Sequence, residues 1–119
     1  MRQIISSGSV RAIYLDREKI LKKLKEICAE ALGIFPEMTE IRLFGSFAKG
    51  EETGLSDVDI FIVVERGQEN PIERMRPYFN YFSDKMDIAM DVIVTTKDEI
   101  ENFKEILKGS ILLIRREIM

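Results

Sequence analysis

Leu43-Phe44-Gly45-Ser46-Phe47-Ala48-Lys49-Gly50, then five residues, then Ser56-Asp57-Val58-Asp59-Ile60-Phe61-Ile62-Val63-Val64 is the stretch that decides the fold. The β-branched run after Asp57 reads as a strand, and alternation sends Asp57 and Asp59 to one face. Val58, Ile60, Ile62 and Val64 make the other face wholly apolar. Two neighbouring carboxylates resist ionising together, so a cation is the natural counterweight. Oxygen ligands of this type suit Mg²⁺, which commonly takes one or two carboxylates together with substrate phosphates. Gly45-Ser46 ends the preceding strand, Glu40 to Phe44, and Ser46 is placed to cap a short helix through Lys49. Backbone N–H groups at such a turn attract phosphate.

A third carboxylate comes from the next strand, Ile88 to Val94. Ile88, Met90, Val92 and Val94 share its apolar face, while Asp87, Ala89, Asp91 and Ile93 share the other. Asp91 is preferred to Asp87 because it lies inside the apolar run, where an unpaired charge is costly. Ser7-Gly8-Ser9 imitates the Gly-Ser turn, but no acidic pair follows it at suitable spacing, so it is a decoy.

Helices separate these strands. Asp16 reads as the cap of a helix to about Leu32, with Ile20, Leu21, Leu24, Ile27, Cys28, Ala31 and Leu32 as its apolar stripe. Gly33 and Pro36 stop it, and its lysines read as a solvated face. Asn70 caps a helix that opens with Pro71 and buries Ile72, Met75, Tyr78, Phe79 and Phe82. Tyr81, at the margin of that stripe, is the residue best placed to meet a partner. Asp98 reads as the cap of a helix from about Glu99 to Leu107, and Ile111 to Ile114 as a short edge strand. The order helix, strand, strand, helix, strand, helix predicts an α/β domain of the α+β type. Helices pack on the apolar face of a small mixed sheet, and the carboxylates line the open face.

Composition narrows the chemistry. The chain of 119 residues suits one domain, 1–119, with one core. It has no histidine, which excludes His-based zinc sites, Ser-His-Asp triads and histidine general bases. Cys28 is the single cysteine, so no intrachain disulfide forms, and its place on an apolar stripe makes it a buried hydrophobe. Net charge of −3 disfavours broad nucleic-acid binding. No apolar run is long enough for a membrane span or a signal peptide, so a cytoplasmic protein without membrane association is expected.

Gly45-Ser46-x-Ala48-x-Gly50, followed by Ser56-Asp57-x-Asp59, resembles the DNA polymerase beta-like nucleotidyltransferase superfamily. The resemblance covers about Thr39 to Val94 (core motif region 39–94). The short length is similar to the minimal nucleotidyltransferase branch (MNT), often encoded beside a HEPN-type partner. It implies a metal-dependent transfer of a nucleoside monophosphate, AMP from ATP or the equivalent from another NTP, to a hydroxyl. Gly45, Ser46 and Lys49 would bind the nucleotide, with a solvated lysine as the alternative for Lys49. Asp57, Asp59 and Asp91 would hold two Mg²⁺ ions, or Mn²⁺, and Asp91 would help deprotonate the acceptor. Larger relatives carry a helical acceptor domain; here a partner protein or a second subunit is expected to present the acceptor. In the minimal branch it is a tyrosine of a HEPN-type toxin, which makes an antitoxin role the expectation. The alternatives are a contact-only binding module with vestigial aspartates and transfer to a small molecule.

Overall fold

The computed structural model describes residues 10–50 and 57–117, with side chains from residue 17 onward in the first helix. Ser7-Gly8-Ser9 and Ser56 lie outside them. The element order is α1 (Val10–Ile34), β1 (Met38–Phe44), α2 (Gly45–Lys49), β2 (Val58–Val64), α3 (Pro71–Met86) and β3 (Met90–Thr96). A 3-10 segment (Lys97–Phe103), α4 (Lys104–Lys108) and β4 (Ile111–Arg115) follow.

The four strands form one mixed sheet in the order β3-β2-β1-β4. β1 runs antiparallel to β2 and β4, while β2 and β3 are parallel. Apolar residues at every second position of β2 turn to one face, where α1 and α3 cover them. The resulting core contains Leu24, Cys28 and Ala31 from α1, Ile41 and Leu43 from β1, Ile60 and Ile62 from β2, and Tyr78 and Phe82 from α3. Among the described residues, no helix is long and apolar enough to cross a membrane.

Several local expectations need correction. α1 begins at least as early as Val10 and passes through Asp16 and Gly33, so neither residue bounds it. Asn70 does cap α3: its Oδ1 accepts from the N–H groups of Ile72 and Glu73 at 2.9 and 3.1 Å. The buried stripe of α3, however, is Arg74, Tyr78, Phe82 and Met86. Ile72 is 61% exposed and Phe79 36%. The apolar residues of this helix fit two stripes, and its docking angle on the sheet selects the one that starts at Arg74. That arginine is tolerated because it donates to the carbonyls of Gln68, at 2.7 Å, and Glu69 and to the Glu99 carboxylate. Tyr81, the residue expected to meet a partner, stays partly exposed while its hydroxyl donates to Glu30 at 2.9 Å and its ring packs edge-on against Phe35 and Phe82. The helix expected from Glu99 is instead the 3-10 segment followed by α4. Thr96, not Asp98, stands at the start of the 3-10 segment, and it makes no side-chain cap. The segment lies on the carboxylate face, where Phe103 meets Phe61 edge-to-face at 5.3 Å between centroids. That face is therefore sealed over Phe61 and Val63 and lies open around Asp59 and Asp91.

Candidate active site

The parallel register sets Asp59 directly beside Asp91. Paired residues on adjacent strands project to the same face, so two aspartates far apart in sequence become neighbours. Asp57 stands just ahead of β2, exposed to solvent, close enough to add its charge to the pair. Asp59 is half-buried, and its carboxyl is pushed up to about 6. Burial is the main cause; the charge of Asp91, a hydrogen bond shared with Asp91, and the charge of Asp57 add to it. That hydrogen bond needs a proton between the two carboxylates. Once the proton leaves, the pair repels.

On its other side Asp59 pairs with Phe44 of β1. The chain then turns through Gly45 with φ +75°, a left-handed conformation that glycine adopts without strain. Space makes the same demand, since a Cβ at Gly45 would sit 2.1 Å from Asp59 Oδ2. The Gly45 backbone thus presses directly on the carboxylate. Phe44, not Ser46, is the residue before α2, and no side chain caps this helix. Ser46 lies inside the first turn, half-exposed. Gly50, with φ +73°, closes α2, and its N–H reaches the carbonyls of Ser46 and Phe47.

Lys49 does not point into open solvent alone. It lines a cleft of about 240 Å³ with Phe44, Gly45, Glu105, Ile106 and Gly109. The cleft adjoins the carboxylates through Gly45, so α4 forms a wall of the site. Across α2, Arg17 of α1 donates to the carbonyl of Phe47 at 2.7 Å and holds the short helix in place. Neither Arg17 nor the α4 wall was found from sequence. Arg17 lies far upstream of the motif, and α4 reaches the site through sheet topology, so no local signal marks either.

The donor set fits a hard divalent cation: oxygen atoms only, from carboxylates that repel one another without one. Among the described residues no group of three or more acidic, histidine or cysteine side chains stands ready-formed around an ion position. The Asp59–Asp91 hydrogen bond is the arrangement a metal would replace.

The nucleotidyltransferase domain family matches residues 21–116. The chain belongs to that family. The nucleotidyltransferase resembles two proteins of Methanocaldococcus jannaschii named as candidate protein adenylyltransferases. One is 34% identical over 89 residues and the other 29% over 87; each alignment covers 71% of this chain and 85% of the relative. A solved candidate nucleotidyltransferase from Sulfolobus solfataricus superposes with a TM-score of 0.69 at 27% identity, covering 92% of both chains. A toxin–antitoxin structure with AMP-PNP shares the fold, with a TM-score of 0.58 at 20% identity over 78% of this chain and 74% of that one. The mixed sheet with helices on its apolar face is thus the nucleotidyltransferase fold.

Proposed function

We propose that this nucleotidyltransferase transfers AMP from ATP to a hydroxyl of a protein, with a tyrosine of a HEPN-type toxin as the acceptor, in the cytoplasm. The observation that carries the reading is the placement of Asp59 between Asp91 on one side and the Gly45 turn on the other. The names of the Methanocaldococcus jannaschii relatives support a protein as acceptor.

In this reading the backbone at Gly45 and the N–H and hydroxyl of Ser46 take the terminal phosphates. The missing Cβ at Gly45 leaves room for the Asp59 carboxylate against this turn. Lys49, beside the same turn, adds a positive charge for the leaving pyrophosphate. Asp57, Asp59 and Asp91 would hold Mg²⁺, or Mn²⁺, with two ions as the full complement. Bound there, the metal supplies charge neutralisation at the phosphates and acidifies the acceptor hydroxyl. Asp91, exposed at the outer strand, receives the proton of that hydroxyl. The acceptor oxygen forms a bond to the α-phosphorus as the bond to the β-phosphate bridging oxygen breaks, and pyrophosphate leaves on the Gly45 side. Positioning and fixed charges contribute most of the rate.

The test is incubation of the protein with α-labelled ATP, Mg²⁺ and a HEPN-type partner. Label on the partner that disappears with Asp57→Asn supports the assignment. Tight association without label would instead favour neutralisation by contact alone. Undiminished labelling by Asp57→Asn would refute the roles given to the aspartates.

A further inference from the structure

The groups of the site form a row across the strands: Gly45 after β1, Asp59 on β2 and Asp91 on β3. β3 is an edge strand, so among the described residues no further strand continues that row beyond Asp91. In-line displacement places the attacking hydroxyl opposite the leaving group. With pyrophosphate leaving on the Gly45 side, the hydroxyl arrives from beyond β3, on the face of the sheet that carries the aspartates. The outer edge of β3 is where a side chain can enter that position.

The backbone of β3 shows what that edge offers. Successive residues of a strand turn their N–H and C=O groups alternately to its two sides. The Ala89 carbonyl accepts from the Val58 N–H of β2 at 3.0 Å. Alternation then turns Asp91 and Ile93 toward β2 and leaves Met90, Val92 and Val94 facing outward. At Val94 the outward carbonyl is taken by the buried Arg74 guanidinium at 3.5 Å, which closes the edge at that end. No described residue bonds the outward groups of Met90 and Val92. Asp91, between them, is exposed and Val92 is half-exposed, while the Met90 side chain packs into the core on the other face. The free stretch is therefore short and centred on Asp91. Outward N–H and C=O groups at a sheet edge are a template for another extended chain.

We propose that an extended segment of the acceptor protein adds to this edge as a fifth, antiparallel strand, with its hydroxyl-bearing residue paired to Asp91. The occupant follows from the edge itself: alternating backbone donors and acceptors are matched by another peptide backbone. Paired residues on adjacent strands project to one face, so the side chain opposite Asp91 stands among the carboxylates. Met90 and Val92 make the bonds, which leaves Asp91 in a non-hydrogen-bonded pair. That is the closer of the two kinds, with Cα atoms about 4.5 Å apart. Tyrosine suits the position better than serine, because its longer side chain carries the hydroxyl past the Asp91 carboxyl toward a bound nucleotide. The identity of the paired residue rests on the nucleotidyl-transfer reading, so the experiment on the edge omits ATP.

A fluorescein-labelled extended peptide, with threonine and valine on either side of one tyrosine, is titrated with the protein and followed by anisotropy. In the antiparallel register the residues flanking the tyrosine bond Met90 and Val92, and the tyrosine N–H points away. N-methylation of both flanking residues should weaken binding about tenfold, and N-methylation of the tyrosine nitrogen should leave it unchanged. Val92→Pro removes an outward N–H without breaking a bond to β2, and should weaken the unmodified peptide to a similar degree. Far-UV circular dichroism checks that this variant is folded. In the wild type, the peptide should slow hydrogen exchange at the Met90 and Val92 amides. Absence of binding, survival of binding when the flanking residues are methylated, or equal loss with the tyrosine nitrogen methylated would overturn the proposal. A dimer of this chain that protects the same two amides without peptide would overturn it as well. Edge binding with this pattern but no AMP transfer to any hydroxyl would sink the reaction alone; AMP transfer to a protein with no edge binding would sink the strand addition alone.

Discussion

Replacing Asp59 by Asn should make the metal-free protein more stable while abolishing nucleotidyl transfer. The Asp59 carboxyl is lifted from its ordinary 3.8 to about 6 by burial and by its acidic neighbours. At about 1.4 kcal/mol for each pH unit, that sets a ceiling of roughly 3 kcal/mol on the cost of charging it in the folded state. Asp59 is half-buried, not sealed, and solvent screening reduces the figure to about 1–1.5 kcal/mol. The native state holds this proton more tightly than the unfolded chain. The group's stabilising contribution is therefore full below about 4 and is lost as pH rises through about 6. Asn mimics the protonated form at every pH. In EDTA at pH 7.5, Asp59→Asn should melt about 5 °C above the wild type. The gap should close as the pH falls toward about 4, where both states hold the proton. Thermal melts followed by circular dichroism across that range give the comparison. Adding Mg²⁺ should then raise the melting temperature of the wild type and leave that of the variant nearly unchanged. A variant that melts at or below the wild type at pH 7.5, or a gap independent of pH, would refute the claim that these carboxylates repel one another.

Three further outcomes follow from the packing. Gly45→Ala should destabilise the domain by about 3 kcal/mol and abolish transfer, because the left-handed turn and the Asp59 contact both exclude a Cβ; urea unfolding and the labelling assay measure the two effects. Asn70→Ala should cost about 1 kcal/mol through the lost cap of α3, with transfer unchanged once folded, and a shift in urea midpoint without a change in slope is the expected signature. Cys28 is fully buried and its thiol is pushed up to about 12 by burial; it should resist a thiol reagent in the native state and react promptly in denaturant, so fast native labelling would contradict the α1 packing.

Much of this architecture can be read locally. The period-two alternation of β2 separates Asp57 and Asp59 from an apolar face without reference to any other segment, because side-chain direction along a strand is a property of the strand itself. The Gly45 turn, the cap at Asn70 with Pro71 behind it, and the burial of Cys28 on the α1 stripe were legible for the same reason: each depends on residues a few positions apart. The absence of histidine restricts the chemistry to carboxylates, lysine and tyrosine. Tertiary structure alone decided the rest. The parallel register of β2 and β3 sets Asp59 opposite Asp91, a pairing of strands separated by a whole helix. The docking of α3 chose Arg74, Tyr78 and Phe82 for burial and left Ile72 and Phe79 exposed, because two stripes of similar apolarity compete and the neighbouring surfaces select between them. The return of the chain through the 3-10 segment and α4 walled the cleft beside Lys49, and Arg17 reached across from α1 to hold α2. Local sequence determines which way a side chain faces on its own element; which other side chain it meets is set by long-range packing, whose energy is shared among residues distant in the chain.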